Sequence, residues 1–115
     1  MSEDILAKRT RIAALFDIYG VLLTEKQQEA VSLFYEEDCS LSEIAESFNS
    51  TRQAVNDLLK RTLTVMERYE AGLGLLAQQQ RRGAAVDELE ALLLQGGIPQ
   101  DISSRALLLL EEIRR

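Results

Sequence analysis

The chain has 115 residues, 46% hydrophobic and 28% charged, with 13 Lys and Arg against 19 Asp and Glu and a formal net charge of -6. A chain of this length buries about two-thirds of its unfolded surface as one compact domain, without disulfides or metal. With no His, one Cys and no Trp, it has no His–Cys zinc site, no His-based triad and no internal disulfide, so a non-enzymatic protein without a cofactor is expected.

The single thiol, Cys39, fits a reducing compartment, and the opening MSEDILAKRTRIAALF is broken by charges where a secretory signal needs an apolar stretch. A cytoplasmic protein is predicted. Apolar runs such as Ala106 to Leu110 fall far short of the ~18 residues that cross a bilayer.

One Pro and six Gly leave few breaks, and apolar residues recur at spacings of three and four, so the fold class is all-α. The first helix is predicted from Ser2 to Gly20, capped by Ser2 or Asp4, with Ile5, Ile12, Phe16, Tyr19 and Leu23 on one stripe. A second follows Thr24, which stands three residues before Gln27 as a capping box requires, and buries Val31, Leu33 and Phe34. Glu36, Glu37 and Asp38 oppose the macrodipole at its C-terminus, so Asp38-Cys39-Ser40 is a turn and the acidic run a solvated helix end, with no metal site. Glu37 and Asp38 are expected to raise the Cys39 pKa, making the thiol inert.

Ser40 and Glu43 form a second capping box, opening a short helix to Phe48. After Asn49-Ser50, Thr51 caps a fourth helix, TRQAVNDLLKRTLTVMERYE, whose ~20 residues span ~30 Å. The stretch AGLGLLAQQQRRGAA has no readable boundary. Two more helices are predicted at Val86 to Gln95 and Ile102 to Arg114, separated by Gly96-Gly97-Ile98-Pro99. The Leu-rich end, Ala106 to Leu110 with Ile113, is apolar on more than one face and should be largely buried, either closing the back of the domain or pairing with a second chain in a homodimer. The chain is thus divided into residues 1–71 and a C-terminal helical extension, 72–115.

Leu41 to Leu58 has the pattern of a helix-turn-helix, in which a short helix packs across a longer one through a tight turn. Ala45 is the small residue at the crossing, Ile44 and Phe48 pack from the first helix, and Val55 and Leu58 from the second. The outer face of the second helix carries Arg52, Gln53, Asn56, Lys60 and Arg61. Arg pairs bidentately with guanine, Asn or Gln with adenine, and Lys suits phosphate. Thr51 and the helix N-terminal amides suit another phosphate.

LLTEKQQEAVSLFYEEDCSLSEIAESFNSTRQAVNDLLKRT resembles the YlxM-like helix-turn-helix proteins of Gram-positive bacteria, whose core is similar to region 4 of sigma-70-type factors. The resemblance runs from Arg11 to about Tyr69, and its most specific pieces are Leu23 to Gln27, Glu43 to Glu46, Arg52 to Val55 and Leu59 to Thr62. It implies a DNA- or RNA-binding protein with a regulatory or accessory role in the signal recognition particle pathway, its gene typically neighbouring that of the particle's GTPase. Asn49 replaces the family's usual turn Gly, and Ser50 a β-branched apolar residue that helps fix the angle between the helices.

Residues 1–70 carry 8 basic and 13 acidic side chains, net -5, a field that repels phosphate. From Thr51 to Leu63, Arg52, Lys60 and Arg61 face one acid, Asp57. Three phosphate contacts give a salt slope of about -2.7, weak for one copy and doubled in a dimer. The alternative function is a protein-interaction module that keeps the fold, leaves these cations as solvated surface paired with Glu43, Glu46 or Asp57, and engages a protein through its acidic surface and apolar helices.

Overall fold

The computed structural model describes residues 5–115, whose secondary-structure elements are all helical, with no strand among them. The proposed caps Ser2 and Asp4 lie outside the described residues. The first predicted helix is divided into a 3-10 turn at Ile5–Lys8, α1 at Arg9–Tyr19 and a second 3-10 turn at Gly20–Leu22. Helix α2 (Glu25–Val31) starts with the expected capping box: Thr24 Oγ1 accepts from the Gln27 N–H and Gln27 Oε1 from the Thr24 N–H.

Beyond Val31 the backbone widens into a π-helical segment, Ser32–Glu36, in which the Glu37 N–H reaches back five residues to Ser32 O at 3.0 Å. Nothing in the apolar spacing signals it. Asp38, at φ 55°, turns the chain out of the helix. The unfavourable carboxylates there meet a cation from α1: Arg9 donates to Asp38 Oδ1 at 2.6 Å and to the orphan Tyr35 carbonyl at 3.1 Å. Its guanidinium also lies 5.8 Å from the centre of the Phe34 ring, so one side chain offsets the helix-end charge and covers the core.

Helices α3 (Leu41–Ser47) and α4 (Arg52–Leu73) follow. Gly72 does not stop α4. Gly74 does, in the left-handed conformation at φ 62°, and α5 begins at Leu75 and runs to Leu94. The segment with no readable boundary therefore holds the end of α4, the break at Gly74 and the first half of α5, which runs unbroken through Gly83, and the predicted start at Val86 is too late by three turns. Gly96 and Gly97, both at positive φ, and Pro99 then lead into α6 (Gln100–Arg114).

The chain divides into two compact units, one through Leu76 and one from Ala77 to Arg115. The first packs α1 to α4 around Ile12, Leu15, Tyr19, Val31, Phe34, Ile44, Val55, Leu59 and Met66, with Ile5 and Leu76 joining the same core. The second buries little. Of the Leu-rich end expected to be largely buried, Leu110 is 4% exposed, but Leu108, Leu109 and Ile113 are 63%, 49% and 47% exposed. Only Val86 and Leu110 of residues 77–115 are buried, and most of the leucines stay outside.

Candidate nucleic-acid interface

The site rests on α3, its turn and the first half of α4. Ala45 is buried where the helices cross, with Ile44, Val55 and Leu59 fully covered beside it. Phe48 and Leu58 pack half-buried against the same core. Leu59, rather than Leu58, is the deep anchor of α4.

The turn is fixed by its backbone. Ser50 N–H donates to Ala45 O at 2.8 Å and Asn49 N–H to Glu46 O at 3.1 Å, while Asn49 adopts φ 52°. An Asn at this left-handed position closes the helix as a Gly would, at modest strain. These bonds hold the interhelical link without the apolar side chain that Ser50 lacks.

Thr51 starts α4. Its Oγ1 accepts from the Ala54 N–H at 3.0 Å, so the hydroxyl oxygen serves the cap and the remaining first-turn amides are the groups that can meet an anion. Arg52, Gln53 and Arg61 are exposed and Lys60 half-exposed. Gln53 Nε2 donates to Asp57 Oδ1 at 3.2 Å along the helix. Asn56 is half-buried, and its Oδ1 is shielded from solvent and accepts no hydrogen bond among the described residues. Five of the six proposed residues thus stand at the surface, and the Asn56 acceptor does not.

Among the described residues no carboxylate lies within ion-pair distance of Arg52, Lys60 or Arg61. Of the acids that compete for them in sequence, Glu43 and Asp57 hold other partners. Glu43 Oε1 accepts from the Ser40 N–H at 2.9 Å in the second capping box, and that bond, followed by the one to the Ser40 side chain, holds its carboxyl below the usual range. Asp57 holds Gln53. Cys39 is pushed up first by burial and then by Glu43, Glu37 and Asp38, an unreactive thiol as its neighbours indicate.

Two cations escape the sequence reading. Lys26, from α2, lines a small cleft of about 90 Å³ together with Ser50, Ala54 and Arg61, so tertiary packing adds a second-helix lysine to the edge of the turn. Arg68 is exposed about two turns beyond Arg61. The spacing of Asp57, Arg61, Thr64 and Arg68 by four, three and four residues places it on the same face. Among the described residues no group of three His, Cys, Asp or Glu side chains is placed to hold a metal ion, and no helix is long and apolar enough to cross a membrane.

A family model of YlxM/p13-like helix-turn-helix proteins, UPF0122, matches residues 6–103. This extends the resemblance beyond Tyr69 through α5. A UPF0122 protein of Symbiobacterium thermophilum is 49% identical over 83 residues, covering 72% of this chain and 78% of its own. One from Listeria innocua is 49% identical over 86 residues, 75% and 78% of the two chains, and one from Latilactobacillus sakei is 43% identical over 96 residues, 84% of each. The helix-turn-helix geometry and these matches agree, and the chain belongs to the UPF0122 family of YlxM/p13-like proteins.

Proposed function

We propose that this is a non-enzymatic nucleic-acid-binding protein that presents the N-terminal half of α4 to a groove, with Arg52, Gln53 and Arg61 toward bases or phosphates and Lys60 and Lys26 toward phosphates. The observation that carries this reading is the set of surface cations around a capped helix N-terminus, none of them neutralised by a carboxylate among the described residues. Helix-turn-helix geometry suits the major groove of B-form DNA, whereas A-form RNA hides its deep groove. The family resemblance supports a regulatory or accessory role for this activity in the signal recognition particle pathway.

Fluorescence anisotropy with labelled duplex DNA and a structured RNA, over a salt series, tests the reading. Four phosphate contacts, from Lys26, Arg52, Lys60 and Arg61, give a slope of log K against log salt of about -3.6 per copy. Arg52→Ala and Lys60→Ala should each weaken binding. Absence of binding to either nucleic acid at low salt removes the proposal.

A second reading has its own observation. Phe16, Val21 and Leu33 line an open groove of about 620 Å³ together with Glu25, Glu29 and Glu37. Val21 is 83% exposed, and the π-helical segment supplies one wall, a distortion that often marks functional sites. Such a groove suits a basic amphipathic helix of another protein. Binding of a Lys/Leu helical peptide that is lost in Glu29→Lys and Leu33→Ala, and kept in Arg52→Ala, favours this second reading.

A further inference from the structure

We propose that the α5–α6 hairpin is the dimerisation element of this protein and that its occupant is the hairpin of a second copy. Arg114, near the end of α6, donates to Asp87 at 3.0 Å and Glu90 at 2.7 Å on α5, so the two helices run antiparallel. On α5, Ala85, Leu89 and Leu92 follow one another at spacings of four and three. On α6, Ile102, Ala106, Leu109 and Ile113 do so at four, three and four. With 100° per residue and opposite chain directions, these stripes fall on the same flank of the hairpin. The other flank carries Asp87, Glu111 and Arg114, joined through the arginine. The hairpin is therefore a two-helix layer with one ionic side and one apolar side.

The apolar side has no cover within its own unit. Leu89, Leu92, Ile102, Leu109 and Ile113 are each about half exposed. Together they leave several hundred Å² of apolar surface, a major part of the about 800 Å² that each partner contributes to a stable interface. Chains of under about 40 residues rarely sustain a core alone, and residues 77–115 bury only Val86 and Leu110 fully.

Charge selects a second copy as the occupant. Residues 77–115 hold five Arg against six acids, net -1, while the rest of the chain carries the other -5 of the total -6. This is the segment through which two identical acidic chains approach with least repulsion. A two-fold axis across the apolar flanks sets two helices against two, a four-helix bundle closed by an isologous interface. The inference is independent of whether α4 meets nucleic acid, although a dimer would present two such helices.

Sedimentation equilibrium of the full chain tests it. The expected species at micromolar concentration has twice the 12.9 kDa chain mass. The pair Leu89→Glu and Leu109→Glu should weaken the dimer by about a hundredfold or more through buried unpaired charge, with helical circular dichroism retained. Leu108→Glu, on the far side of α6, should leave it intact. If the charged pair unfolds, Leu89→Ala with Leu109→Ala must still weaken association at least about tenfold. A wild-type chain that stays monomeric at about 100 μM, or a dimer indifferent to Leu89 and Leu109, overturns the proposal.

Discussion

Tyr19 donates a 2.6 Å hydrogen bond to Glu70 Oε1, and the same oxygen accepts the Leu76 N–H at 2.9 Å. The phenol is 1% exposed and tilts against Tyr69 at a centroid distance of 5.9 Å. The end of α1 is thus tied to the end of α4 and to the start of the following helix. Burial, and then the bond to Glu70, raise the Tyr19 pKa. Tyr19→Phe leaves the ring packing in place and removes a charge-assisted bond, so thermal melting should fall by about 5 °C. An unchanged melting temperature would show that the carboxylate is satisfied without the phenol.

Removal of the α4 cap has a local and a functional consequence. Thr51→Ala deletes the acceptor of the Ala54 N–H and should cost about 1 kcal/mol in urea unfolding. Thr51→Ser should recover most of it. Because Arg52 and Gln53 sit in that first turn, nucleic-acid affinity should fall in parallel with the fraying and return with serine.

Asn49 separates backbone strain from side-chain chemistry. At φ 52° a β-branched residue is strongly disfavoured, so Asn49→Val should destabilise by about 1–2 kcal/mol. Asn49→Gly should raise the urea midpoint slightly, since glycine adopts this conformation freely. If both variants unfold alike, the turn is not what limits stability.

The Glu43 carboxyl supplies a pH dependence of known sign. Its folded pKa is depressed by the Ser40 N–H and hydroxyl, so its stabilisation is complete above the unfolded carboxylate pKa and is lost as pH falls through the folded value. Between about pH 6 and about pH 3, wild type should lose more stability than Glu43→Gln, whose amide keeps the capping geometry but does not titrate. Parallel curves for the two proteins would assign the acid sensitivity to other carboxylates.

Lys26 tests whether the cleft beside the turn belongs to the interface. Lys26→Ala should lower the magnitude of the salt slope by about 0.9 and weaken DNA and RNA binding without regard to sequence. Gln53→Ala, by contrast, should change preference among duplex sequences more than overall salt dependence.

Local signals were readable wherever a few adjacent residues decide the outcome. Thr24 with Gln27 and Ser40 with Glu43 announced two capping boxes, and Ala45, Ile44 and Val55 announced the helix crossing. Features set by distant parts of the chain were not. Lys26 reaches the turn through packing of α2, the Asn56 oxygen is shielded by its surroundings, and the Arg9 bond to the Tyr35 carbonyl joins residues 26 positions apart. The Leu-rich end misled because apolar periodicity reports that a face wants cover, not where that cover comes from.

The π-helical segment also governs which changes of chain length α2 can absorb. Such a segment carries one residue more than an α-helix needs to reach the same point. Deleting a single residue within Ser32–Glu36 can therefore regularise the helix while Val31 behind and Cys39 ahead keep their orientation. The same deletion in Glu25–Val31 would rotate one end of the helix relative to the other by about 100° and carry Ala30 or Phe34 out of the core. Length variation in this helix should be tolerated only at its widened end.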